Sequence, residues 1–307
     1  RGSLPVSRAE VAAPLGATAT GDLRRQRRWA LWSAYACLGL FCVFFLAPPI
    51  YALVTSLKTS QEIAALEGNP WLVRDPTFAN YAALLGSSTF LRFFWNSTKV
   101  AVIVVAVTMV IATLAAFSLA RMRFFGSTAL ATGVFLTYLI PETLLFIPLF
   151  QIFTWLRDLT GIEFINRWWI LCIVYPTLTV PFCTWILIGY FSSIPKELDE
   201  AAIVDGASTL QLLLKVFLPV ALPGLIAATI FAFTVSWAQF LYPLAFTTSL
   251  DQLVLPVGIV TNLIKGDVFN WGQIMAGALL TAAPPVLLYA FLMDYYIAGL
   301  TAGATKG

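Results

Sequence analysis

Between Glu197 and Gly206 the chain reads Glu197-Leu198-Asp199-Glu200-Ala201-Ala202-Ile203-Val204-Asp205-Gly206, and four of its 15 acidic side chains lie in this stretch. On a helix Glu197 and Glu200 fall about 60° apart at 100° per residue, so the two carboxylates share a face. Three kinds of chemistry fit such a pair. The carboxylates are simply solvated on a loop, or they act as a general acid and base, or they meet a basic partner across an interface. Acid–base work needs surroundings that shift a carboxyl pKa, and the neighbouring sequence offers no apolar pocket to do so. A docking element needs small residues that permit close approach, which Ala201 and Ala202 supply, and carboxylates that form charge-assisted bonds.

The element that must hold these groups is written in local capping chemistry. Pro195 is suited to the first position of a helix, and Glu197, Asp199 and Glu200 then occupy the first two turns, where the helix dipole favours negative charge. Gly206 breaks that helix beside Asp205. Ser208 and Gln211 form an S-x-x-Q capping box that starts a second helix, and Leu218-Pro219 is expected to end it. The segment 192–220 therefore reads as helix, corner, helix.

Around it the chain is apolar: 60% of the 307 residues are hydrophobic, 11% are charged and the mean hydropathy is +0.86. A soluble domain carries roughly 25% charged residues, so the expected fold class is an all-α polytopic membrane protein. There is no histidine, the commonest general base and transition-metal ligand. Cys37, Cys42, Cys172 and Cys183 lie inside apolar runs without C-x-x-C spacing and read as packing residues. The opening Arg1-Gly2-Ser3 is expected to be a processed end without structural weight, and residues 1–28 are expected to form a mobile cytoplasmic tail.

Apolar runs of about 20 residues, the length that crosses a bilayer, lie near 29–54, 96–119, 128–153, 168–191, 222–247 and 273–293. Six spans are expected, making residues 29–294 one transmembrane domain and 295–307 a cytoplasmic tail. Arg24-Arg25-Gln26-Arg27-Arg28 before the first span and Arg121-Met122-Arg123 after the second place both termini in the cytoplasm. The 192–220 segment is then cytoplasmic. Glu142, after Pro141 in the middle of the third run, should face protein or water, because a charge at mid-bilayer is costly. It either lines a solute path or is satisfied by a backbone group freed by Pro141 or Pro148. Thr234, Gln239 and Tyr242 in the fifth run are further pathway candidates, against plain packing.

The spacing Glu200-Ala201-Ala202-x3-Gly206-x9-Val216-Phe217-Leu218-Pro219 resembles the EAA signature of ABC-importer permease subunits, with Val216 in place of Ile. Asn96-Ser97, the tract Ala120-Arg121-Met122-Arg123-Phe124 and the end Gly299-Leu300-Thr301-Ala302-Gly303-Ala304-Thr305-Lys306-Gly307 resemble the carbohydrate, maltose-type branch, in particular its smaller-subunit type. The resemblance covers nearly the whole chain from about residue 29. It implies a type I importer architecture in the prokaryotic inner membrane. It also implies a second permease subunit, two ATP-binding subunits that carry ATP and Mg, and an extracytoplasmic solute-binding protein. Glu197, Glu200, Ala201, Ala202, Asp205, Gly206, Leu218 and Pro219 would then dock the ATPase, and Thr301, Gly303 and Lys306 would reach toward it. Trp237-Ala238-Gln239-Phe240 is similar to the branch's W-N-E-F stretch, with Ala and Gln replacing Asn and Glu.

The chain has no G-x-x-x-x-G-K-[ST] loop, so nucleotide bound in the P-loop manner must lie on a partner. No cofactor is expected on this chain. The main alternative is an ion-coupled secondary transporter, which would place several ionisable residues in the membrane. Only Glu142, with Asp294 near an end, fits that demand. A membrane enzyme lacks a clustered acid, base or thiol set.

Overall fold

The computed structural model describes residues 18–65, 69–122, 124–265 and 268–304, and for 18–24, 265, 268 and 294–304 the backbone alone. Residues 1–51 and 52–307 form two units. The described part of the first is helical: α1 (Thr18–Ser56) begins there and carries Pro48 and Pro49 internally. Residues 18–28, expected in a tail, are thus helical.

In the second unit α2 (Ser60–Ala64) and α3 (Ala79–Leu85) precede the long α4 (Ser88–Arg121). α5 (Ser127–Tyr138) and α6 (Glu142–Thr160) follow, then a 3-10 turn (Trp168–Ile170), α7 (Leu171–Val174) and α8 (Pro176–Ser193). Next come α9 (Glu197–Val204), α10 (Thr209–Leu212), a π-turn (Leu213–Phe217), α11 (Leu218–Val220) and α12 (Leu222–Ala238). The chain closes with α13 (Leu241–Phe246), α14 (Leu255–Leu263) and α15 (Trp271–Ala304). Between α14 and α15, β1 (Ile264–Lys265) pairs antiparallel with β2 (Val268–Phe269).

Among the described residues four helical stretches are long and apolar enough to cross a membrane: Arg25–Ser56, Ser88–Arg121, Trp168–Ser193 and Trp271–Met293. Two bent pairs raise the number to six if each counts as one span: α5 with α6, at 96°, and Thr209–Val220 with α12, at 82°. The expected unbroken run 128–153 is therefore corrected to two helices. Pro141 lacks an N–H and disfavours helical geometry in the residue before it, so α5 ends at Tyr138 and α6 starts afresh at Glu142. The run 222–247 is likewise broken: Gln239 is extended, with φ −62° and ψ 127°, and α13 begins two residues later. Leu218-Pro219 does not end the second helix of the segment 192–220 either. Pro219 sits in the first turn of α11, where a missing N–H is tolerated, and the break comes at Ala221.

The bundle is held by close helix packing on small residues, as expected where lipid removes the hydrophobic drive between helices. Ala112 and Ala116 of α4, Cys183 of α8, and Ala228 and Ala232 of α12 are fully buried in one cluster with Phe117, Leu187, Phe191 and Phe217. At Gly224 of α12 a Cβ would lie 2.4 Å from the Tyr190 ring, so only glycine admits that approach. A second cluster gathers Phe93, Trp237, Leu255 and Val257, and a third gathers Val104, Tyr175, Tyr242 and Phe246. Asn96 and Ser97 pin the segment entering α14: Asn96 Nδ2 donates to the carbonyls of Asp251 (3.0 Å) and Leu253 (2.9 Å), and Ser97 Oγ accepts from Leu255 N (2.8 Å).

Candidate functional site

α9 is a two-turn helix with Glu197, Asp199 and Glu200 in its first turn. It starts one residue after Lys196, so Pro195 precedes it rather than opening it. Its end is a Schellman arrangement: Gly206 takes the left-handed conformation at φ 77°, its N–H donates to Ile203 O (3.0 Å), and Ala207 N donates to Ala202 O (2.9 Å). Ser208 and Gln211 then form the reciprocal capping box that opens α10, with Gln211 N to Ser208 Oγ at 3.3 Å and Ser208 N to Gln211 Oε1 at 2.8 Å.

The faces of α9 differ. Glu197, Glu200, Ala201, Asp205 and Gly206 are exposed, and so are Ile203 and Val204, at 62% and 86%. Ala202 instead packs on the buried cluster around Phe217, as does Leu218, while Pro219 is exposed. Asp199 also turns inward, onto Arg121 at the end of α4, with Nη1 to Oδ2 at 3.3 Å. The exposed surface thus combines carboxylates with branched apolar side chains. Sequence reasoning missed Ile203 and Val204 because apolar residues are everywhere in this chain; their place on a helix with three carboxylates in its first turn was the available signal.

The second candidate region lies where two helix breaks meet. Glu142 is the first residue of α6, and its Oε2 accepts from Gln239 Nε2 at 2.8 Å. Gln239 Oε1 in turn accepts from the backbone N–H groups of Phe240 (2.9 Å) and Leu241 (3.2 Å), satisfying amides released by the break before α13. Gln239 is buried and Glu142 half-buried. Thr234, half-buried, donates to Ile230 O of its own helix at 2.8 Å. Tyr242 is fully buried against Tyr175 and Phe246. Glu142 and Gln239 are therefore brought together, while Thr234 and Tyr242 are engaged by their own surroundings.

Residues 108–301 match the family described as binding-protein-dependent transport system inner membrane component. The chain belongs to that family. This inner-membrane component is 34% identical to the sulfoquinovosyl glycerol transport system permease protein SmoH of Agrobacterium fabrum, over 85% of this chain and 89% of that one. It is 31% identical to the trehalose/maltose transport system permease protein MalG of Thermococcus litoralis, over 88% and 94%. Its fold is similar to a chain of a bacterial ABC transporter involved in the import of the acidic polysaccharide alginate, with a TM-score of 0.75 at 21% identity, covering 89% of this chain and 98% of that one. The inner-membrane component is thus a multi-pass membrane protein of a transport system, and the secondary-transporter alternative is not favoured. The tail candidates of this component fall at the edge of what is described: Thr301 and Gly303 lie in the helical backbone of α15, and Lys306 lies outside the described residues.

Proposed function

We propose that this chain is the permease subunit of an ATP-driven importer of a carbohydrate: a sugar, an oligosaccharide or a polyol. It works beside a second permease subunit, two ATP-binding subunits and an extracytoplasmic solute-binding protein. ATP and Mg reside on the ATP-binding subunits, and this chain is non-catalytic. The solute class is supported by the two named relatives, both permeases for glycosides. The coupling role is supported by one observation above all: α9 and its glycine corner form a capped module, tied to the end of α4, that exposes Glu197, Glu200, Ala201, Ile203 and Val204. Such a module fits a cleft whose rim is basic and whose floor is apolar. Closure of the ATPase pair would push on α9 and rock the spans. Glu142 and Gln239, at the meeting of the two breaks, are the pathway residues this reading favours.

The test is purification of the tagged chain from its native host in mild detergent, with mass spectrometry of what accompanies it. A P-loop ATPase and a second EAA-bearing membrane subunit are the expected companions. Glu200→Lys should then lower ATPase retention, because it replaces an attraction with a repulsion. A chain that purifies alone and transports in liposomes without ATP would overturn the proposal.

A further inference from the structure

Arg121 is the last residue of α4, and its guanidinium gathers four elements. Nη1 contacts Asp199 Oδ2 of α9 at 3.3 Å. Nη2 donates to the carbonyl of Phe191, in the last turn of α8, at 2.7 Å, and also to that of Ile194, the residue that follows α8. Its planar face lies over the Phe217 ring of the π-turn, with Cζ 4.8 Å from the centroid. The Arg121 and Asp199 side chains are only 7% and 18% exposed.

For stability alone this arrangement has no advantage: a buried ion pair replaced by apolar residues of similar size is often neutral or better. What a guanidinium adds is direction. Its planar fork fixes the angles at which a carboxylate, two carbonyls and a ring can approach, which neither lysine nor a hydrophobe does. The covalent path from α8 to α9 is only Ile194-Pro195-Lys196, and Arg121 holds the first of these residues as well as the helix beyond them. We infer that Arg121 is a positioning residue of the transport cycle, a clasp that makes α9, α4 and α8 move together, so that displacement of the docking helix reaches the spans instead of being lost in the connecting turn. The inference rests on the docking reading above.

The experiment compares the assembled importer with and without Mg·AMP-PNP by hydrogen–deuterium exchange, a readout independent of the solute. In the wild type the nucleotide is expected to change exchange both in 197–206 and in 186–194. In Arg121→Ala the response at 197–206 should persist, while that at 186–194 falls at least about threefold, because the coupling now lacks its physical link. Arg121→Lys should recover part of the lost response and Asp199→Asn should lie between. A merely structural role would lower the yield of complex without separating the two responses. Wild-type responses at 186–194 in both Arg121→Ala and Asp199→Asn would overturn the clasp and leave the docking reading standing. If Arg121→Ala does not assemble, an undiminished response in Asp199→Asn overturns it alone. Absence of any nucleotide response at 197–206 in the wild type would remove the docking reading itself, and the clasp with it.

Discussion

Glu142 and Gln239, 97 residues apart in the chain, share a 2.8 Å hydrogen bond that ties one broken membrane helix to another. Pro141 interrupts the first helix and Gln239 itself the second, and each break releases backbone groups that lipid cannot satisfy. The Gln239 amide answers this with both ends: its oxygen accepts from Phe240 and Leu241, and its nitrogen is anchored by the carboxylate.

Removing the anchor should be felt as lost stability. Glu142→Ala leaves the buried Gln239 nitrogen without this acceptor, and the expected cost is about 1–3 kcal/mol. Glu142→Gln keeps an acceptor oxygen and should cost less than half as much. Thermal unfolding of the purified complex in detergent measures both, and equal midpoints for wild type and Glu142→Ala would show that the joint holds without the bond.

The corner at Gly206 gives a cleaner backbone test, because no atom lies within 4 Å of where a Cβ would stand. The effect of a substitution there is conformational alone, about 1–2 kcal/mol for alanine at positive φ. Gly206→Asn should be milder and Gly206→Val harsher. Retention of the ATPase during purification is expected to follow the same order, asparagine, alanine, valine.

At Gly224 the reverse holds: the backbone is helical and the space is taken. Gly224→Ala drives a methyl into the Tyr190 ring, and overpacking of this kind costs about 1–3 kcal/mol. Gly189→Ala, on the same helix as Tyr190 but with nothing within 4 Å, serves as the control and should be harmless. Trimming the ring in Gly224→Ala/Tyr190→Ala should return part of the loss, which unfolding midpoints of the three variants would show.

Asn96 supplies a further prediction at the opposite end of α4 from Arg121. Asn96→Ala removes the donor from the buried Leu253 carbonyl, an expected loss of about 1–3 kcal/mol. Asn96→Asp should be worse, since an acceptor then faces two carbonyls. Faster proteolysis within residues 247–254 would report the loosened segment directly.

These positions also show what a linear reading captures. The α9–α10 corner was legible to within a residue or two, since Gly206, Ser208 and Gln211 act on backbone groups no more than a few positions away. The joint of Glu142 and Gln239 was legible only as polar residues in apolar runs. Inside the bundle α8 and α12 are apolar on every side, so hydrophobic periodicity does not mark where a helix stops, and the break at Gln239 left no trace in the pattern. In the sequence Arg121 is an orienting charge beside the membrane. Its link to Asp199 joins distant segments, and the hint was only that two opposite charges are scarce goods in so apolar a chain.

The π-turn at Leu213–Phe217 gives the motif's fixed spacing a different meaning. Winding five residues where an α-helix would place about four, it sets the angular phase of all that follows. The turn holds one residue more than α geometry needs: its loss would let the chain run on as α-helix with the later side chains near their present phase, whereas one further residue would turn each of them by about 100°. Phe217 would swing from beneath Arg121, and Ala228 and Ala232 would leave the seam they share with α8. The nine residues between Gly206 and Val216 are therefore a rotational setting, like the timing mark on a camshaft, and exchange of any one of them is better tolerated than an addition to their number.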